Sequence, residues 1–119
     1  MPTPEGKLVI ALDYDGTYSA DPGLWLEFIK IAQKRGHEVL IATMRTDAEL
    51  DDMCETLQDR VNRIIPTHRN AKKPFLEGFG IKPDIWIDDY PHFIILDAEG
   101  ADKAERAEAK LGFVPNNRG

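Results

Sequence analysis

Acidic residues follow two apolar runs of this sequence, at positions where their carboxylates could take part in chemistry. The run over 7–12 leads directly into DYDGT at residues 13–17, and a later run ends in Asp88 and Asp89. A phosphoryl group carries negative charge, so an anionic oxygen attacks it readily only where a cation neutralises both partners. Carboxylates can supply the attacking oxygen and can also bind Mg²⁺, which prefers oxygen ligands. Carboxylates grouped in this way could therefore bind a divalent cation and supply an attacking oxygen.

The hydrophobic pattern predicts the elements that position these residues. Helical spacing and capping residues predict helices beginning at Pro22, after Thr46 and at Pro74, and a charge-laced helix over 98–111. Alternating strands and helices with short connections specify a three-layer α/β sandwich around a central parallel sheet. Ligands of such sheets bind outside the carboxyl ends of the strands, so the chemistry is expected at that edge. The predicted strands are 7–12, 38–43, 61–65, 84–88 and 92–96.

Taken in chain order, the polar motifs at these strand ends resemble those of the haloacid dehalogenase (HAD) superfamily. That family carries DxDGT after the first strand, Ser or Thr after the second, then a lysine, then an acidic pair after the fourth strand. Residues 13–17, Thr43, Lys72 and the pair at 88–89 match this order, and the resemblance spans residues 7–96. The resemblance implies a Mg²⁺-dependent phosphomonoester hydrolase with a HAD-like Rossmannoid fold.

The family's roles carry over to particular positions of this chain. By resemblance, Asp13 is the nucleophile that forms an aspartyl-phosphate and also a Mg²⁺ ligand. Asp15 is the general acid and base, and it reaches the metal through its backbone carbonyl. Asp88 completes the metal ligands, and Asp89 either binds the metal directly or orients a metal-bound water. Thr43 donates its hydroxyl to a phosphoryl oxygen.

Two adjacent lysines compete for the phosphate-binding position of the family. Lys73 directly precedes Pro74, and many family members have Lys-Pro at this motif. Lys72 lies one residue earlier, and its spacing to the DIWIDD segment is closer to that of small family members. We therefore assign the role to Lys72 and expect Lys73 to be surface charge.

The short connections leave no room for the cap domain that covers the active site in larger family members. Residues 15–43 hold one loop and one helix, and residues 43–72 hold a helix, a strand and a short loop. A site without a cap cannot enclose a small substrate by itself. We therefore expect either a bulky phosphorylated substrate or a second subunit that supplies a lid.

Composition restricts the partners and the compartment. The 119 residues carry a net charge of −6, which argues against a surface built to grip nucleic acid. The stretch 60–73 nevertheless has no acidic residue, so a nucleotide or a nucleic-acid end stays open as the substrate. One cysteine, no apolar stretch of about 20 residues and no signal-like start predict a cytoplasmic protein without a membrane partner.

The length corresponds to one domain over residues 1–119, with a core over about 7–111 and a tail over 112–119. A catalytically inactive HAD-like binding or scaffold domain is the alternative to an enzyme. Asp13, Asp15, Thr43, a lysine and Asp88 are all present, so inactivity would have to come from geometry.

Overall fold

The computed structural model describes residues 6–100, which form an α/β fold around a four-stranded parallel sheet. The spatial order of the strands is β3-β2-β1-β4, so the first strand lies in the interior of the sheet. The strands are β1 (Val9–Leu12), β2 (Glu38–Thr43), β3 (Arg63–Pro66) and β4 (Ile85–Ile87).

The helices lie in the connections between these strands. Between β1 and β2 the chain forms a short 3-10 turn before its first α-helix, and a second 3-10 turn precedes the helix between β2 and β3. The α-helices are α1 (Pro22–Lys34), α2 (Asp51–Leu57), α3 (Lys72–Glu77) and α4 (His92–Ile95), and the 3-10 turns are Tyr18–Ala20 and Asp47–Glu49.

Alternation along β1 and β2 sends successive side chains to opposite faces of the sheet. One face packs Ile10, Val39 and Ile41 against α1 and α2, which contribute Ile29 and Met53. The other face packs a smaller set against α3, formed by Ala11, Leu40, Ala42 and Leu76. Both faces of β1 and β2 are therefore buried, which explains why these strands are continuous apolar runs.

The first helix begins where the sequence predicts, whereas the Thr46 capping box begins a 3-10 turn and α2 itself begins only at Asp51. The Asp21 carboxylate accepts a hydrogen bond from the Leu24 backbone N–H at 3.2 Å, and Pro22 occupies the first helical position. The Glu49 carboxylate accepts from the Thr46 backbone N–H at 2.7 Å. This second contact fixes the chain that leaves β2 at the edge where the polar motifs gather.

The third strand and the third helix differ from the predicted bounds. The strand begins at Arg63 rather than Val61, because the Val61 backbone N–H donates to the Leu57 carbonyl in the turn after α2. The helix begins at Lys72 rather than at Pro74, so the proline lies in its first turn. A proline is tolerated there because the first amides of a helix have no intrahelical acceptor.

The predicted fifth strand over 92–96 is wrong, since His92–Ile95 forms the single-turn helix α4. The Tyr90 backbone N–H donates to the Asp88 carboxylate at 2.9 Å, which turns the chain immediately after β4. A further parallel strand would require a crossover of about a dozen residues, and only a few separate β4 from this segment. Phe93 instead packs on the Tyr90 ring, with ring centroids 4.5 Å apart.

The predicted helix over 98–111 lies mostly outside the described residues, and the tail over 112–119 lies wholly outside them. Residues 98–100 are helical, and the Ala98 backbone N–H donates to the Arg69 carbonyl. No helix within residues 6–100 has the length and apolar character that a bilayer span requires.

Candidate active site

The carboxyl ends of β1, β2 and β4 bring the predicted polar residues to one edge of the sheet. Asp13 follows β1, Thr43 ends β2, and Asp88 follows β4. The Asp13 backbone N–H donates to the Ile87 carbonyl at 2.9 Å, so the β1 and β4 ends stay paired up to the acidic residues. This pairing places two carboxylates beside each other, although they lie 75 residues apart in the chain.

A buried lysine joins these two carboxylates. The Lys72 Nζ lies 2.7 Å from Asp13 Oδ1 and 2.5 Å from Asp88 Oδ2. All three side chains are nearly inaccessible to solvent, with 1% of Lys72, 7% of Asp13 and 2% of Asp88 exposed. Lys73, the alternative lysine, is exposed. The structure thus places Lys72 rather than Lys73 against the carboxylates.

A threonine and a third carboxylate complete the cluster. The Thr17 hydroxyl lies 3.0 Å from Asp13 Oδ2 and 3.3 Å from Asp89 Oδ1, and it accepts the Asp89 backbone N–H at 3.1 Å. Gly16 has a φ of +83°, and a Cβ there would fall 2.4 Å from Asp89 Oδ2. Only glycine combines this backbone conformation with such a close approach of the carboxylate. We call Asp13, Thr17, Lys72, Asp88 and Asp89 the buried cluster.

Burial shifts the protonation equilibria of the two carboxylates that Lys72 bridges. Removal from water raises the pKa of Asp13 from 3.8 to about 7, which outweighs the opposing charge of Lys72. The neighbouring Asp88 carboxylate raises it further. Burial likewise raises the pKa of Asp88, again against the effect of Lys72. The protein therefore resists full ionisation of this pair, and an additional cation would favour it.

The structure does not bring the Asp15 carboxylate into the buried cluster. Asp15 instead forms a two-point ion pair with Arg45, in which Nε and Nη2 donate to its two oxygens at 3.0 and 2.8 Å. The Asp15 side chain is 56% exposed, and the hydrogen bond to it raises the pKa of the Arg45 guanidinium. Asp15, the predicted general acid and base, therefore lies at the exposed side of the site, which we call its mouth, and is held there by Arg45.

Thr43 is the last residue of β2 and is completely buried. Its hydroxyl accepts the Arg45 backbone N–H at 3.2 Å, which ties the start of the loop after β2 to the end of the strand. Thr43 is therefore at the predicted edge of the sheet, and its hydroxyl stabilises the loop that carries Arg45.

The predicted site residues include neither Thr17 nor Arg45. Thr17 was within reach of prediction, because it is the last residue of the DYDGT motif. Arg45 offers no comparable pattern: only the fold brings the loop after β2 beside Asp15, which lies 30 residues earlier. The described structure therefore adds one member to the buried cluster and one ion pair at its mouth.

The donor set of the buried cluster fits a hard divalent cation. Carboxylate oxygens of Asp13, Asp88 and Asp89 lie within 4.8 Å of one another. These three residues could hold Mg²⁺, which takes oxygen ligands and retains several waters. Gly16 leaves the space beside Asp89 that a Cβ would fill. A single lysine charge among three carboxylates also leaves a negative excess that a divalent cation would balance.

Comparison of the chain with protein-family models, with curated proteins and with solved structures returned no match.

Proposed function

We propose that this protein is a Mg²⁺-dependent phosphomonoester hydrolase of the HAD type, with a three-layer αβα sandwich as its fold. One observation carries the proposal: the strand-end carboxylate Asp13 shares the buried Lys72 with Asp88, and Asp89 lies beside them. A buried carboxylate with an adjacent cation and further oxygen ligands is suited to attack a phosphoryl group.

In the first step an Asp13 carboxylate oxygen attacks phosphorus, and the bond from phosphorus to the ester oxygen breaks. Asp15 gives its proton to the departing alkoxide, which leaves as the alcohol. In the second step water attacks the aspartyl-phosphate, Asp15 takes a proton from it, and inorganic phosphate leaves with Asp13 regenerated. The first step leaves Asp15 deprotonated and the second returns its proton, so a single residue serves as acid and then as base.

The remaining groups stabilise charge. Lys72 is a fixed positive charge at hydrogen-bond distance from the nucleophile, and its burial strengthens its effect on a developing negative charge. Mg²⁺, held by Asp13, Asp88 and Asp89, would neutralise the phosphoryl oxygens when bound. Thr17 orients the second Asp13 oxygen through the contact at 3.0 Å.

The connections between the strands support an open site. The described chain between β1 and β2 contains the 3-10 turn Tyr18–Ala20 and α1, and between β2 and β3 it contains Asp47–Glu49 and α2. Helices this short do not make a separate cap. The proposal therefore retains a bulky phosphorylated substrate or a lid from a second subunit, and an oligomeric state measured with and without substrate distinguishes the two.

The test is hydrolysis of p-nitrophenyl phosphate by the purified protein with Mg²⁺ and with EDTA. Asp13→Asn removes the nucleophile, so turnover should fall at least about a thousand-fold. Glu38→Gln makes the same change of acid to amide at the opposite end of β2 and should leave turnover intact. Mg²⁺-dependent turnover that survives Asp13→Asn would refute the assignment of the nucleophile.

A HAD-like binding or scaffold domain is the second candidate, and one observation favours it: Asp15 is held by Arg45 outside the buried cluster. On this alternative the protein binds Mg²⁺ and a phosphorylated ligand without turnover. Calorimetric Mg²⁺ binding that Asp88→Asn abolishes, with no hydrolysis at any pH, would establish the scaffold function over the enzyme.

A further inference from the structure

The guanidinium of Arg45 is fixed on the side away from Asp15. Its Nη1 donates to the Glu49 carbonyl at 2.8 Å, and its Cζ lies 5.1 Å from the centroid of the Tyr14 ring. The backbone N–H of the same residue donates to the Thr43 hydroxyl. These contacts come from the end of β2 and from the segments that follow β1 and β2, so the arginine is held in place before any substrate binds.

The other edge of the same guanidinium has the form of an anion-binding site. Nε and Nη2 present two parallel donors, an arrangement that matches the oxygens of a carboxylate or of a phosphate equally well. Asp15 fills this edge in the described structure, yet more than half of its side chain is exposed. Because water can solvate this exposed carboxylate when it leaves the arginine, an anionic ligand can displace it.

The mechanism also requires that Asp15 leave this position. A carboxylate whose two oxygens both accept from Arg45 cannot give a proton to a departing alkoxide. When Asp15 turns toward the substrate, the donors Nε and Nη2 lose their partner while the rest of the guanidinium stays anchored. A second anionic group on the substrate would restore both hydrogen bonds, and it would favour the form in which Asp15 is free.

The neighbouring arginine does not have the same freedom. Arg69 donates to both oxygens of Glu49 at 3.2 and 3.1 Å and also to the Met44 carbonyl at 2.7 Å. Glu49 in turn accepts from the Thr46 backbone N–H and helps to form the turn after β2. Displacing Glu49 would therefore disrupt the loop, whereas displacing Asp15 disrupts only the pair.

We propose that Arg45 is a specificity-determining residue, which exchanges Asp15 for a second anionic group on the substrate, such as a second phosphate, and so selects phosphomonoesters that carry one. This inference rests on the function proposed above, because it concerns the substrate of the same site. The exchange links recognition to catalysis: the group that binds Arg45 releases the residue that transfers the proton.

The experiment compares adenosine 5′-monophosphate with adenosine 3′,5′-bisphosphate, which differ by one phosphate. Binding of each nucleotide is measured by calorimetry on the Asp13→Asn variant with Mg²⁺, and also on the unaltered protein in EDTA in case that variant does not fold. The kcat and KM for phosphate release are measured on the protein with Asp13 intact. We expect the bisphosphate to bind about tenfold more tightly or better, from two charge-assisted hydrogen bonds.

Three variants separate charge, geometry and background. Arg45→Gln should remove the preference for the bisphosphate. Arg45→Lys should keep part of it, because the charge remains and the planar pair of donors is lost. Arg63→Gln removes an arginine that pairs with Glu38 at the opposite edge of the sheet, and it should leave the preference unchanged.

The outcomes distinguish this inference from the phosphatase proposal. Equal binding of the two nucleotides, or a preference that survives Arg45→Gln, would overturn the role of Arg45 even if hydrolysis is Mg²⁺-dependent. A bisphosphate preference that depends on Arg45, without hydrolysis, would uphold the anion site and overturn the phosphatase.

Discussion

The two edges of the sheet carry similar ionic groups in opposite environments. At the carboxyl edge, Lys72 bridges Asp13 and Asp88 with every side chain nearly inaccessible. At the amino edge, the Glu38 carboxylate forms ion pairs with Lys7 Nζ at 3.8 Å and with Arg63 Nε at 3.4 Å. The lysine and arginine of that second group are about half exposed, at 49% and 53%. Similar ion pairs are therefore buried at one edge and hydrated at the other.

Burial is what makes the carboxylates of the carboxyl edge differ in reactivity from those of the amino edge. In water an ion pair contributes little to the stability of the fold, since solvent screens the charges and each partner is already hydrated. Away from water, each charge depends on its partner, and burial raises the pKa of Asp13 to about 7. A buried carboxylate that resists ionisation without a further cation is poised to bind one.

The largest difference between the edges should appear when the central cation is removed. Lys72→Met leaves two buried carboxylates without their cation and should cost about 3–5 kcal/mol of unfolding free energy. Arg63→Met likewise removes a cation that pairs with a carboxylate, but at the exposed edge, and should cost about 1 kcal/mol or less. Urea denaturation measures both, and equal losses would show that burial does not distinguish the edges.

Glycines with positive φ at each edge offer a second comparison. Gly36, just before β2, has a φ of +90° and no atom within 4 Å of an added Cβ, so Gly36→Ala should cost about 1–2 kcal/mol in backbone strain alone. Gly16→Ala adds the collision with Asp89 Oδ2 and should cost about 1–3 kcal/mol more.

Thermal denaturation with and without Mg²⁺ tests these glycines. Only Gly16→Ala should also weaken the stabilisation by Mg²⁺. An equal response of the two variants to the metal would contradict the close approach of Asp89 to Gly16.

Mg²⁺ should stabilise the protein more at about pH 8 than at about pH 5. Because the pKa of Asp13 is raised on folding, its contribution to stability is complete below about 3.8 and is lost as the pH rises through about 7. The metal binds the ionised form, so it recovers this loss where Asp13 is ionised. At a hundredfold excess over Kd the gain would be about 2.7 kcal/mol.

The measurement is the shift in Tm on addition of Mg²⁺ at the two pH values. Asp88→Asn should reduce the shift, and Glu38→Gln at the opposite edge should not. A shift that is the same at both pH values would separate metal binding from the ionisation of Asp13.

The smallest effect concerns Glu49, whose pKa the Arg69 side chain lowers to about 2, with help from the Thr46 backbone N–H. A lowered pKa adds stability above about 4.5, and this contribution is lost as the pH falls through about 2. Glu49→Gln should therefore flatten the decline in stability over this acid range, measured by urea denaturation as a function of pH. An unchanged acid profile would show that the Arg69 pair is not maintained in solution.

Local patterns in the sequence predicted most elements of this fold. β2 has the predicted bounds, Asp21 caps the predicted first helix, and Thr46 begins a 3-10 turn that precedes the predicted second helix. The prediction of a strand over 92–96 is wrong because apolar composition alone does not distinguish a short strand from a helical turn. What decided it was the turn after Asp88, which leaves too little chain for a parallel crossover.

The sequence by itself determined which groups stand at the carboxyl edge, because parallel strands that end in polar residues must present them together. It did not decide whether Lys72 or Lys73 is the lysine of the site. The helix that begins at Lys72 buries that lysine and leaves Lys73 exposed. The pairing of Asp15 with Arg45 was decided only by tertiary structure. Their proximity depends on how two loops pack, and no local periodicity encodes a contact across 30 residues.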